Sequence, residues 1–208
     1  MFASEAEARQ FCAARPEAAG MARLDRFAAL LGEENQRQNL VSSASLQAVW
    51  QRHFADSLQL FDHVPRETGA WLDLGSGAGF PGLVLAMARP DIRITLVESR
   101  KRRVEWLARV VAEMELAHCR VVGARLERVD SFPAGVITAR AFAPLGKLLS
   151  LSARFSTRAT VWLLPKGRSA AQERAGQPES VRKMFHVEHS QTDPGGGILV
   201  GRGVPELS

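Results

Sequence analysis

Only two cysteines occur in the 208 residues, Cys12 and Cys119, and neither has a second ligand at metal-binding spacing. That argues against a disulfide-stapled secreted scaffold and against a cysteine-based metal site, and a reducing, cytoplasmic setting is the simplest expectation. No apolar run approaches the ~18–20 residues needed to cross a bilayer. The opening MFASEAEARQF is acidic and amphipathic, the pattern of neither a secretory signal nor a transit peptide. A Gly-Lys-Ser/Thr phosphate loop is missing, which leaves a nucleoside triphosphatase without support. The motifs contain no Ser–His–Asp arrangement and no His–carboxylate pair of the kind nucleophilic catalysis needs.

What remains is an ordinary globular composition, 46% apolar and 24% charged, in a chain long enough for one α/β domain with a proper core. The net charge of +5 is unevenly placed. Residues 1–139 carry 17 basic and 17 acidic side chains, whereas residues 140–208 carry 10 and 5. A basic C-terminal third suits a polyanionic partner.

Helical spacing runs over residues 3–31 and again over 46–63, where Val49, Trp50, His53, Phe54, Ser57 and Leu58 trace one stripe. From residue 70 the pattern changes to strand–turn–helix alternation. Strands are expected at 71–74, 92–97, 119–122, 135–138, 160–164, 183–189 and 197–201, and helices at 81–88, 100–116 and 144–155. Such alternation implies a doubly wound, mostly parallel seven-stranded sheet. Only SQTDPGGG separates the last two strands, so they should pair as an antiparallel hairpin at the sheet edge. Residues 165–180, rich in Gly, Pro, Ser and charge, read as a long mobile loop. The expected organisation is an N-terminal helical segment, 1–69, packed on a core, 70–208, within one globular unit.

The strongest chemical signal is WLDLGSGAGFPG at 71–82. A strand feeds Gly75-x-Gly77-x-Gly79, and Pro81 suits the first turn of the following helix. Glu98, at the end of the next strand, sits where a carboxylate bonds ribose hydroxyls in nucleotide-binding α/β folds. The loop departs from the dinucleotide pattern G-x-G-x-x-G, and Asp73 precedes it where a pyrophosphate site keeps an apolar residue. Carboxylates suit S-adenosylmethionine, which carries a sulfonium and an ammonium and no phosphate. A dinucleotide-dependent oxidoreductase, a ligand-free glycine turn, and a non-catalytic RNA-binding assembly protein with a vestigial pocket are the alternatives. In ESRKRRVEWL the densest basic run, Arg100 to Arg103, opens a helix whose N-terminus disfavours cations. An RNA phosphate docking on that rim would offset the cost. Ser99 is the expected N-cap of that helix, Val104, Leu107, Val111 and Met114 its buried stripe, and Glu105 with Arg109 an i,i+4 pair.

Together, NLVS (39–42), RHFADSL (52–58), LDLGSGAGFPG (72–82), ESRKRRVEWL (98–107), ARLERV (124–129), ARAFAPL (139–145) and PKG (165–167) resemble the bacterial 16S ribosomal RNA guanine-N7 methyltransferase G family, also called glucose-inhibited division protein B. The resemblance implies a class I S-adenosylmethionine-dependent methyltransferase fold, Rossmann-like, acting on 16S ribosomal RNA or the small ribosomal subunit; a monomer is expected, and the residues themselves point to neither a membrane nor a metal. It implies cofactor contacts from Gly75, Phe80, Leu126, Glu127 and Arg140, to which the glycine-loop reading adds Gly77 and Glu98. It also implies an RNA-facing wall with Arg52, His53 and Lys166, and Arg102 joins that wall from the basic run. The family often has Lys where this chain has Arg102.

Guanine N7 is an unprotonated lone pair, so its methylation needs no general base, and alignment in line with an activated methyl group can supply most of the rate. Arg140 and Lys166 are the candidates for polar anchors near the reacting atoms. Because N7 lies in the deep, narrow major groove of A-form RNA, a splayed or single-stranded target is expected. Phe80 and Phe142 are candidates for stacking, and Asp56 for a structural hydrogen bond. The HVEH of 186–189 resembles a metal pair, but on a strand His186 and His189 point to opposite faces.

Overall fold

The computed structural model describes residues 2–16 and 19–207. Seven strands, β1 Trp71–Leu74, β2 Ile94–Glu98, β3 Cys119–Gly123, β4 Val136–Ala139, β5 Val161–Lys166, β6 Phe185–His189 and β7 Gly197–Arg202, form one sheet in the order β3-β2-β1-β4-β5-β7-β6. The first five are parallel. β7 inserts antiparallel between β5 and β6, with Leu163 opposite Val200 and Val187 opposite Leu199. The expected doubly wound sheet and C-terminal hairpin are therefore present. Parallel strands must be covered on both faces, which is why WLDL, ITLVE and VITA read as nearly unbroken buried runs.

One face is covered by α1 Glu5–Ala13, α2 Gly20–Asn35, α5 Gly82–Ala88 and α6 Lys101–Glu113. The other carries α7 Leu145–Ser152, α8 Ala170–Ala175 and α9 Glu179–Met184, which close a second hydrophobic core against the sheet. On the first face Phe27 of α2 is fully buried and ties the N-terminal segment to the core, its ring 5.7 Å from Phe54, 5.6 Å from Phe80 and 6.1 Å from Trp106. Removing a ring so placed costs about 3–5 kcal/mol.

Several expected boundaries are corrected. Residues 3–31 are two helices, and positions 17 and 18 of that stretch lie outside the described residues. Residues 46–63 do not form one α-helix: the end of α3 Ser43–Gln47 leads into a π-helical turn Trp50–Ala55, then α4 Asp56–Leu58 and a 3₁₀ turn Gln59–His63. The π turn begins with its first two amides held from outside the helix, for Trp50 and Gln51 donate to the Glu5 carboxylate at 2.9 Å each. Residues 165–180 are not a loop throughout; they contain α8 and the start of α9, and positions 183–184 end α9 rather than begin β6. Arg174 fastens this region through its guanidinium, donating to the carbonyls of Phe185 and Arg182.

On α6 the buried side chains are Trp106, Leu107 and Val110, so the stripe is rotated from the expected one, although Met114 just beyond is buried too. The Trp106 indole turns inward because its N–H donates to the Ala78 carbonyl of the glycine loop at 3.0 Å. Ser99 does not cap the helix. Arg100 holds the cap position, and the Glu98 carboxylate accepts from the amides of Ser99 and Arg100 instead. Glu105 pairs with Lys101 and Arg109 with Glu34, so the expected Glu105–Arg109 pair is absent.

Candidate active site

In this strand order β1 lies between β2 and β4, and the chain leaves the carboxyl ends of β1 and β4 in opposite directions. Crevices at such a switch point are where α/β sheets bind ligands. Two cavities open there, of about 400 Å³ and about 780 Å³. They share one wall, Ala141, Phe142 and Ala143, from the loop that follows β4. Ala141 is in the left-handed region at φ 54, a conformation that strains a residue with a Cβ and marks a loop held by its surroundings.

The smaller cavity is lined by Gly75, Glu98, Leu126 and Glu127, so four of the expected cofactor residues meet around one space. Gly75 has φ +65, and a Cβ there would lie 2.6 Å from the Phe142 ring. The absent side chain therefore lets that ring close against the loop. Glu98 is bound to backbone on both oxygens: Oε2 accepts from the Gly77 amide at 3.0 Å, and Oε1 from Ser99 and Arg100 at 2.7 and 2.8 Å. Gly77 thus acts by fixing Glu98. Leu126, only 3% exposed, sits in a 3₁₀ turn Leu126–Arg128 beside Glu127 and gives the cavity an apolar side.

These features fit S-adenosylmethionine. A buried carboxylate at the end of β2 suits ribose hydroxyls, the Leu126 side suits adenine, and the glycine turn admits close backbone approach. Asp73 takes no part in the lining. It is 1% exposed beneath the loop, Oδ1 accepting from Thr138 at 2.8 Å and Oδ2 lying against Gly82 without a bond of good geometry. Burial pushes its carboxyl above the usual range, opposed by Ser76, Thr138, the Gly82 amide and Arg140. The expected acidic cofactor partner at this position is replaced by a buried support.

The larger cavity is lined by Arg52, His53, Asp56, Arg140 and Lys166, which brings the two separate motifs RHFADSL and PKG together with RAFA. Arg140 is the hub. Nη1 donates to Asp56 Oδ2 and to the Arg52 carbonyl, both at 3.2 Å, and Nη2 donates to His53 Nδ1 at 3.0 Å. With Nδ1 accepting, the hydrogen-bond pattern assigns the ring proton of neutral His53 to Nε2. Burial, with Arg140 and Arg52 nearby, pushes the His53 pKa down to about 3, so the ring is neutral at physiological pH. Phe80 lines neither cavity. It is a buried platform, stacked on His53 at 4.4 Å and 9°, with the Arg140 guanidinium 4.9 Å from its ring centre.

Asp56 Oδ1 accepts from Thr192 at 2.8 Å, and Arg52 pairs with Asp193 at 3.2 Å, so the β6–β7 loop closes one side. Arg102 lies away from both cavities, its guanidinium donating to the Arg37 carbonyl at 3.0 Å. Arg100 and Arg103 from the same run line the smaller one, with Arg125 and Lys147. Sequence reasoning missed Thr192, Asp193, Lys147 and Glu173, which stand in no patterned motif and which only folding brings to the site. Arg103 of the basic run and Arg125 of ARLERV lie within the motifs but were not singled out individually. Among the described residues no group of three or more His, Cys, Asp or Glu could hold a metal ion, and no helix is long and apolar enough to cross a membrane.

Solved structures with this architecture include a mutant of MtNAS in complex with S-adenosylmethionine (TM-score 0.56, 15% identity, 88% of this chain and 75% of that chain). Another is the precorrin-6y C5,15-methyltransferase of Geobacter metallireducens (TM-score 0.52, 11% identity, 79% and 90%). At such identities the likeness shows the fold, a class I methyltransferase fold. Much nearer in sequence is the ribosomal RNA small subunit methyltransferase G of Erythrobacter litoralis, 61% identical over 98% of both chains. The protein of the same name from Novosphingobium aromaticivorans is 55% identical over 88% of this chain and 81% of its own. The model of the family described as rRNA small subunit methyltransferase G matches residues 21–194. With that match and those identities, the chain belongs to the ribosomal RNA small subunit methyltransferase G family.

Proposed function

We propose that the protein transfers the methyl group of S-adenosylmethionine to N7 of one guanine in 16S ribosomal RNA. The observation that carries this reading is the pair of cavities sharing the wall 141–143, one with the chemistry of a nucleoside cofactor and one lined by Arg52, His53, Asp56, Arg140 and Lys166. When bound, the cofactor supplies a methyl group already activated by the sulfonium. Gly75, Glu98, Leu126 and Glu127 hold it, with Gly77 orienting Glu98.

Arg140 cannot take guanine N7 as its acceptor, because N7 must stay open to attack. Its free N–H groups suit O6 or a phosphate, and its ties to Asp56, His53 and Arg52 keep it from collapsing onto the reacting atom. Lys166 donates along the shared wall. No proton needs to leave N7 before attack, and a neutral His53 adds no imidazolium proton that would compete for that lone pair. The larger cavity, at about 780 Å³, suits a single splayed nucleotide, as recognition of N7 outside an A-form groove requires. Arg52, His53 and Lys166 face the RNA, with Arg100 and Arg103 at the cofactor rim and Arg102 on the flank. A cytoplasmic monomer acting on ribosomal RNA or the small subunit completes the reading. Incubation with labelled S-adenosylmethionine and undermodified small-subunit RNA tests it. Label at a guanine N7 is expected, and its absence would sink the assignment.

A further inference from the structure

We propose that Glu173 is a positioning residue for the methyl transfer, setting Lys166 and the wall between the two cavities. The inference rests on the two-cavity reading above. Three donors from three segments converge on this one carboxylate. Oε2 accepts from Lys166 Nζ at 2.8 Å and from the Leu145 amide at 2.9 Å, and Oε1 accepts from the Ser169 hydroxyl at 2.9 Å. Lys166 Nζ also donates to the Ala143 carbonyl at 3.0 Å.

Two of the three ammonium protons are thus committed, which leaves one for the cavity that Lys166 lines. The Leu145 amide is an otherwise unpaired donor in the first turn of α7, so Glu173 fastens the far end of the shared wall. The near end of that wall holds the left-handed Ala141, a conformation that persists only where neighbours enforce it. Glu173 itself is on an anchored element. α8 buries Ala170 in the second core, and Arg174, the residue after Glu173, grips the carbonyls of Phe185 and Arg182. Burial raises the Glu173 carboxyl, but bonds from Lys166 and Ser169 outweigh it and hold the group below the usual range. It is ionised at neutral pH.

The experiment uses the full chain, labelled S-adenosylmethionine and small-subunit RNA, with Glu173→Gln, Lys166→Met and the double variant. Glu173→Gln keeps an oxygen for the Leu145 amide and removes the charge facing Lys166. Its kcat should fall about tenfold or more, yet in the Lys166→Met background the same change should cost less than about twofold. Cofactor affinity by calorimetry should stay within about twofold of wild type, as for a group acting on the reacting geometry alone. Additive losses, an unchanged kcat, or a parallel loss of cofactor affinity and melting temperature would overturn the proposal. Failure of the wild-type chain to label guanine N7 would instead overturn the reading on which it rests.

Discussion

Gly75→Ala places one methyl group where the two cavities meet. The backbone there is left-handed at φ +65, which costs a residue with a Cβ about 1–2 kcal/mol. The new Cβ would also stand 2.6 Å from Phe142 Cδ2, some ~0.8 Å inside the 3.4 Å at which ordinary van der Waals packing begins. The ring must withdraw, and with it the wall that separates cofactor from substrate. For a chain of this size the strain predicts a melting temperature lower by roughly 2–8 °C. A shift of about an ångström in the reacting geometry predicts a loss of about a hundredfold in kcat. Cofactor affinity should fall as well, since Gly75 and Phe142 both line its cavity. Calorimetric titration with S-adenosylmethionine, thermal melting and a methyl-transfer assay measure the three quantities. Gly32→Ala is the control: that glycine lies within α2 with nothing near its would-be Cβ, so alanine should stabilise by about 0.5–1 kcal/mol. A folded Gly75→Ala protein with wild-type affinity and turnover would refute this view of the wall.

Arg140→Lys should fail to restore what Arg140→Ala loses, because a point donor cannot serve Asp56, His53 and the Arg52 carbonyl together. The alanine variant should lose about 1.5–3 kcal/mol in denaturant unfolding, and full turnover in the lysine variant would contradict the hub assignment. Because the folded His53 pKa is depressed to about 3, its stabilisation is present above the unfolded value near 6.5 and is lost as pH falls towards 3. Relative to His53→Gln, wild-type stability should decline by about 1.4 kcal/mol per pH unit below pH ~6. Asp73 titrates in the opposite sense and is common to both proteins, so equal slopes would show that His53 is not the buried neutral group described. Arg103→Ala should reduce the salt slope of RNA binding by about 0.7–0.9 for each phosphate that Arg103 neutralises, measured by titrating RNA at several ionic strengths. Arg102→Ala, on a residue turned towards Arg37, should change it less, and the reverse ranking would move the docking edge to the outer face of α6.

The sheet was readable in the sequence because buried parallel strands leave unbroken apolar runs and the glycine loop needs its residue types locally. Part of the cofactor end was readable in the same way, for Gly75 and Glu98 follow and end the strands β1 and β2, whereas Leu126 and Glu127 came only from the likeness of ARLERV to the family. What escaped depends on long-range interactions. α8 and α9 are six residues each, too short to be stable from propensity alone, and they exist because Arg174 and the second core hold them. The π turn at Trp50–Ala55 leaves no mark in the 3.6-residue pattern, and its opening depends on Glu5, 45 residues earlier. The α6 stripe was misjudged because the Trp106 N–H seeks the Ala78 carbonyl. Arg102 looked equivalent to its neighbours in the basic run, but a helix distributes consecutive residues around its axis and turned Arg103, not Arg102, to the cavity.

Mapping the methylated base decides the matter at the level of chemistry. Small-subunit RNA lacking the modification, incubated with the protein and isotopically labelled S-adenosylmethionine, is digested and the product nucleoside identified by mass spectrometry. One 7-methylguanosine within 16S RNA is expected, with none formed when the cofactor is omitted. Label on another atom, on another RNA, or nowhere would contradict the assignment of the two cavities.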